Sequence, residues 1–120
     1  QQTQVMAGAA ARRRIFSRAR DYMSAHAHEA VTVPQLCAAI GASRRSLQYA
    51  FEDALGISPT HYLRFMRLNQ VHIDLLRGPA EDTVGDVAAR WGFWHLPRFA
   101  AEYRTLFGEL PSSTRKRRLV

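Results

Sequence analysis

The chain has 120 residues, 47% of them apolar and 22% charged, with only seven Gly and five Pro. That is the composition of one ordinary folded domain or two very small ones, and it excludes a disordered or collagen-like chain. Seventeen Lys and Arg face ten Asp and Glu, a formal net charge of +7 that invites a polyanionic partner.

Residues 1–11 show no helical stripe and are expected to form a linker or disordered end; an opening Gln suggests a piece of something longer. From Arg12 the apolar residues Ile15, Ala19, Tyr22 and Met23 recur every three or four positions, predicting an amphipathic helix that ends near His26. Thr32 can cap a short helix, Val33 to Ile40, with Pro34 in its first turn and Gly41 just past its end. Ser43 can cap the next, Arg44 to Leu55, which stops at Gly56. Ser58-Pro59 opens a longer helix to about Arg77, stopped by Gly78-Pro79. Thr83 can cap Val84 to Trp91, closed by Gly92, and a further helix runs from Leu96 to Phe107 with Gly108 behind it. Pro111-Ser112-Ser113 begins a last short turn before a basic tail. Strand signals are nearly absent, so the expected fold class is all-α with about seven helices.

The chain repeats itself. Val33, Leu36, Cys37, Ala38 and Gly41 match Val84, Val87, Ala88, Ala89 and Gly92 at an offset of 51. Phe51, Gly56 and Pro59 match Tyr103, Gly108 and Pro111 at an offset of 52. The repeated unit is a short helix, a tight turn containing Gly and a second helix, the pattern of a helix-turn-helix. Cys37, Ala38, Ala88 and Ala89 suit close approach of the paired helices, and Gly41 and Gly92 suit a left-handed turn position.

The second helix of each unit carries the chemistry. At about 100° per residue, Leu47, Ala50, Phe51 and Ala54 share one face, so Arg45, Gln48, Tyr49 and Glu52 share the opposite one. Arg and Gln make bidentate hydrogen bonds to guanine and adenine edges, and they lie in the N-terminal half of the helix, where base contacts are made. Arg44 flanks this face, and with the Ser43 hydroxyl and the first free N–H groups it can bind phosphate. In the second unit Phe99, Tyr103, Leu106 and Phe107 are expected inside. Pro97, Arg98, Ala101, Arg104 and Thr105 are expected outside, with Arg104 and Thr105 toward phosphate and Ala101 able to touch only a thymine methyl.

Other chemistries find little support. His26, His28, His61, His72 and His95 show no metal-ligand spacing, and no Gly-rich phosphate loop or GxSxG motif is present. The single Cys37 allows no intrachain disulfide. Trp91 and Phe93 read as core and Trp94 as an exposed turn residue, with stacking on single-stranded bases as the rival reading. No enzyme, metal or cofactor is expected. No apolar run is long enough to span a bilayer, so no membrane partner is expected, and the expected compartment is the cytoplasm. A helical protein-interaction module with non-specific nucleic-acid affinity is the alternative to a reader of duplex DNA.

The runs SRRSLQYAFEDALGISPTHYLRFMRLNQV and TVGDVAARWGFWHLPRFAAEYRTLFGELPS resemble the DNA-binding domain of AraC/XylS-type transcription regulators. The resemblance covers about Val31 to Ser113. Trp91-Gly92-Phe93-Trp94-His95-Leu96 is similar to the branch that includes ethanolamine-operon regulators. It implies two helix-turn-helix lobes joined by a long central helix, with both recognition helices in successive major grooves of double-stranded DNA. The implied divisions are a first lobe over 12–58, a connecting helix over 59–77, a second lobe over 78–114 and a basic tail over 115–120. The implied base-contacting positions are Arg45, Gln48 and Tyr49 in the first lobe and Leu96, Pro97, Arg98 and Ala101 in the second. Tyr49 stands where many members have Arg, and Ala101 where many have Arg or Lys. The resemblance further implies a preceding effector-binding or dimerising domain and, for an activator, RNA polymerase as a partner. A connecting helix of about nineteen residues would be roughly 28 Å long, near the roughly 34 Å repeat of major grooves on one face of B-DNA.

Overall fold

The computed structural model describes residues 2–118; Gln1, Leu119 and Val120 lie outside the described residues. Seven helices follow one another: α1 (Gln2–Ala25), α2 (Val33–Ile40), α3 (Arg44–Leu55), α4 (Pro59–Arg77), α5 (Val84–Arg90), α6 (Leu96–Phe107) and α7 (Pro111–Lys116). Among the described residues there is no strand. The chain divides into two compact units, Gln1–Arg64 and Phe65–Val120, with the boundary inside α4.

The helix ends form for local reasons. Thr32 and Thr83 each accept from the backbone N–H of the third helical residue, and that residue's side chain returns a bond to the cap, closing a capping box at α2 and α5. Ser43 caps α3 by accepting from Ser46 N, and Ser58 caps α4 by accepting from His61 N. Gly41 and Gly92 adopt φ of +69° and +83° at the two turns, the left-handed region that other residues enter only at a cost. α5 ends one residue earlier than its pattern suggests, with Trp91 as its cap residue.

α1 begins at Gln2, ten residues before the start that the apolar stripe indicates. Gln, Met and Ala are good helix formers, and only Gly8 opposes them before Arg12. A helix propagates through such residues once the packed part has nucleated it. Residues 2–11 are therefore helical instead of a linker.

In the first unit α1 packs on α2 and α3, burying Ala19, Met23, Leu36, Ile40, Leu47, Ala50 and Phe51. The Phe16 ring meets Phe51 edge-on at 5.1 Å between centroids, and Tyr62 closes on Phe51 at 5.5 Å. The second unit buries Leu68, Val71, Leu75, Val87, Ala88, Trp91, Phe93, Phe99 and Tyr103 around one centre. The repeat therefore reaches further than its turns. Phe16, Ala19 and Met23 correspond to Leu68, Val71 and Leu75 at the same offset of 52, so the C-terminal part of α4 plays for the second unit the part α1 plays for the first.

Some expected core positions are not core. Ala54 is exposed and lines a cleft of Phe16, Ala50, Asp53 and α1 arginines, because it lies in the last turn of α3 where that cleft opens. Leu106 is 40% exposed. Taking about 100° per residue, Phe99 and Phe107 flank Tyr103 by about 40° each, and Leu106 falls about 60° away, at the edge of the stripe and in the last turn of α6 as Ala54 is in α3. Ala38 is exposed and Cys37 only half-buried, so neither forms the tightest helix contact in the first unit.

The basic tail is docked. Arg115 Nε donates to the Asp82 carbonyl at 2.8 Å, and its Nη2 to the Ala80 carbonyl at 3.3 Å. Arg118 donates to the carbonyls of Gly78 and Pro79, and Arg117 pairs with Glu109. The Arg115 and Arg118 side chains satisfy backbone acceptors of the segment between α4 and α5. Of the side chains of residues 115–118, only that of Lys116 makes no hydrogen bond or ion pair among the described residues.

Candidate nucleic-acid interface

α3 presents its first turns outward. Leu47, Ala50 and Phe51 are buried and fix the rotation of the helix; Ser43, Arg44, Arg45 and Tyr49 are exposed, and Gln48 is half-buried. Arg45 Nε donates to the Tyr49 hydroxyl at 3.2 Å, with the guanidinium 5.5 Å from the ring centroid. Gln48 Nε2 donates to Glu52 Oε1 at 2.6 Å. This bond uses one of two amide hydrogens. The other and the carbonyl oxygen remain for the donor-and-acceptor pair that an adenine edge requires. Arg44 has no hydrogen bond, ion pair or ring contact among the described residues, so its charge is available to an anion. The Ser43 hydroxyl is committed to the Ser46 N–H and hydroxyl, which leaves it a weaker phosphate ligand than its position alone suggests.

α6 repeats this layout with different side chains. Phe99 and Tyr103 anchor the inner face. Pro97, Arg98, Ala101, Arg104 and Thr105 are exposed. Arg98 Nε donates to Glu102 Oε1 at 3.1 Å, and Thr105 Oγ1 donates to its own helix at the Ala101 carbonyl. Arg104 is unpaired among the described residues, as Arg44 is. Leu96, 47% exposed, lies beside Val84, Phe99, Ala100, Leu110 and Pro111, in an apolar groove and off the outward face. The structure thus gathers Pro97, Arg98, Ala101, Arg104 and Thr105 on one side and sets Leu96 apart from them.

His95 was missed by sequence reasoning. It is the N-cap of α6, its Nδ1 accepting from the Arg98 N–H at 3.2 Å. Acceptance at Nδ1 places the ring proton on Nε2. His at position 95 after a Gly-Phe turn and just before Leu-Pro was the available signal, since the cap belongs immediately before a Pro-containing first turn. Trp94 beside it is 80% exposed, as its turn position predicts, while Trp91 is buried and donates its indole N–H to Asp74 at 2.8 Å.

Polar groups behind α6 pair with one another inside its unit. Arg90 bridges Asp74 at 3.0 Å and Asp82 at 2.6 Å, and these carboxylates raise its pKa further above the ordinary arginine value. The Tyr103 hydroxyl donates to Thr114 Oγ1 at 2.8 Å and meets His72 Nδ1 at 2.8 Å. Burial pushes the tyrosine up and the histidine down, with Arg117 lowering the histidine further, so both stay neutral at pH 7. Among the described residues no group of three or more His, Cys, Asp or Glu side chains is placed to hold a metal ion, and no helix is long and apolar enough to cross a membrane.

Two copies of one unit, each turning the outer face of its second helix to solvent, define a tandem helix-turn-helix protein. Residues 36–117 match the family model described as a helix-turn-helix domain. The fold is similar to the crystal structure of a probable AraC family transcriptional regulator from Rhodopseudomonas palustris CGA009. The TM-score is 0.76 at 33% identity, covering 88% of this chain and 99% of that one. The chain belongs to the AraC-type helix-turn-helix DNA-binding domains. It is 45% identical over 93 residues to the probable thc operon regulatory protein of Rhodococcus erythropolis, covering 77% of this chain and 28% of that protein. It is 36% identical over 101 residues to XylDLEGF operon transcriptional activator 2 of Pseudomonas putida, covering 82% of this chain and 64% of that protein. The chain thus spans less than two thirds of the length of either regulator.

Proposed function

We propose that this chain binds double-stranded DNA in a sequence-specific way, as the DNA-binding part of a bacterial transcription regulator. Its recognition helices α3 and α6 enter successive major grooves. The observation that carries the reading is the outward face of α3. Arg45 and Tyr49 stand exposed and Gln48 half-exposed within two turns of a capped helix end, on a helix whose rotation a buried face fixes. In the second lobe Pro97, Arg98 and Ala101 face the groove, with Arg44 and Arg104 on phosphates. The first lobe carries more of the base reading, because α6 offers one side-chain donor group at its groove face, Arg98, against three on α3, Arg45, Gln48 and Tyr49.

The same reading extends to the whole regulator. An effector-binding or dimerising domain precedes this one, and RNA polymerase is the partner if the regulator activates; the greater length of the related regulators supports the first point. The run Trp91–Leu96 supports a place near the branch with ethanolamine-operon regulators, and the site of action is the cytoplasm. The test is selection of bound sequences from a random duplex pool, followed by footprinting. The expected result is one enriched motif protected over about two helical turns, with affinity falling steeply with salt. A pool that stays random after selection would refute sequence-specific binding.

A further inference from the structure

Arg12 lies on α1, outside both recognition helices, yet it reaches the outward face of α3. Its Nη1 is 2.8 Å from Asp53 Oδ2, and its guanidinium carbon is 5.7 Å from the centroid of the Tyr49 ring. On the same ring sits Arg45, at 5.5 Å, with its Nε donating to the Tyr49 hydroxyl at 3.2 Å. Asp53, Arg12, Tyr49 and Arg45 thus form one chain of contacts. It starts at a carboxylate one turn beyond Tyr49 and ends at the side chain with the chemistry to read guanine.

Each link restricts the next. An exposed tyrosine on a helix has several rotamers, and an exposed arginine many more. The Asp53 carboxylate fixes the Arg12 guanidinium, and Arg12 attracts the negative face of the Tyr49 ring. A fixed ring holds the hydroxyl where Arg45 Nε can reach it. With Nε engaged, the Arg45 guanidinium keeps its two Nη groups as the free donors, and it meets O6 and N7 of a guanine end-on with both. Arg13, the next residue, is also exposed and makes none of these contacts.

We propose that Arg12 is a positioning residue for base recognition, holding Tyr49 and through it Arg45 in the orientation that reads guanine. The inference rests on the DNA-binding reading above, with Arg45 as a base reader.

The experiment compares the full chain with Arg12→Met, Arg12→Lys, Arg13→Met and Arg45→Ala. Each is measured on the selected duplex and on duplexes with the guanine read by Arg45 replaced, at fixed salt. Thermal unfolding of each variant is measured alongside. Arg12→Met is expected to lower the guanine preference by roughly three- to tenfold, a fraction of what loss of a bidentate pair removes, with the melting curve unchanged. Arg12→Lys keeps the cation and recovers most of the preference. Arg13→Met removes the same charge, weakens all duplexes alike and leaves the preference intact. If Arg12→Met and Arg13→Met weaken all duplexes equally while Arg45→Ala still abolishes the preference, Arg12 is a general cation and the positioning role is overturned. If the parent and Arg45→Ala show the same preference, Arg45 reads no base, and the underlying reading of that residue falls together with the proposal. If Arg12→Met unfolds, Arg12→Lys decides, since a folded lysine variant without the preference overturns the role and one with it supports it.

Discussion

Arg115→Ala and Lys116→Ala remove one positive charge each from adjacent positions, and the structure predicts different consequences. Arg115 holds two carbonyls of the loop before α5, at 2.8 and 3.3 Å. Lys116 is exposed and holds nothing among the described residues. A hydrogen bond from a charged donor contributes roughly 1.5–3 kcal/mol. The Arg115 side chain is only half-buried and its second bond is long, so the lower end of that range applies, about 1.5–2 kcal/mol in all. For a lobe of this size each kcal/mol moves Tm by roughly 4–8 °C. Arg115→Ala should therefore melt roughly 6–16 °C below the parent, on the same scale. Lys116→Ala should melt with the parent and lose a little affinity for every duplex sequence. The assay is thermal unfolding by circular dichroism, paired with binding to a mixed-sequence duplex at fixed salt. An Arg115→Ala variant that melts with the parent, yet loses as much affinity as Lys116→Ala, would refute the docking of the tail and return Arg115 to the phosphate role suggested by charge alone.

Two further perturbations probe the second unit. His72 sits below its ordinary value of 6.5, first because it is buried and then because Arg117 is near, while Glu109 opposes the shift. As pH falls, the unfolded chain therefore takes up the proton first, so stability is complete above about 6.5 and declines as pH drops through the lower folded value. A His72→Phe variant should lose that part of the pH slope in melts between pH 7.5 and 5. Gly92→Val places a β-branched residue at φ +83°, with the new Cβ 3.2 Å from Arg67 Nη1. It should lose roughly 1–2 kcal/mol or more of stability from the left-handed backbone alone, and a melt equal to the parent's would contradict the turn geometry.

Elements governed by local rules were legible in the sequence, and those governed by distant partners were not. Thr32, Ser43 and Thr83 act within three residues of themselves, and Gly41 and Gly92 answer to their own φ, so each could be read in place. The outward faces of α3 and α6 follow from the buried stripes by helix period. Arg115 and Arg118 donate to carbonyls up to 40 residues away, and a run of basic residues looks the same whether solvated or docked. Arg12 likewise meets Asp53 across 41 residues. The apolar groove beside Leu96 was not legible, because sequence likeness assigns a position to an interface, while the course of the helix decides which way its first residue faces. The start of α1 was hidden because the residues before Arg12 carry no apolar stripe by which a sequence reveals a helix, although their helix propensity allows one. The Phe16–Leu68, Ala19–Val71 and Met23–Leu75 correspondence was present in the repeat but lay outside the turn motifs that revealed it.

The central claim is that α3 reads bases through Arg45 and Gln48. Its most direct test is the affinity of Arg45→Ala and Gln48→Ala for the selected duplex and for a scrambled one at the same salt. Each substitution should lose about 1–3 kcal/mol on the selected site and little on the scrambled one. Equal losses on both duplexes would make these residues phosphate anchors and contradict the account.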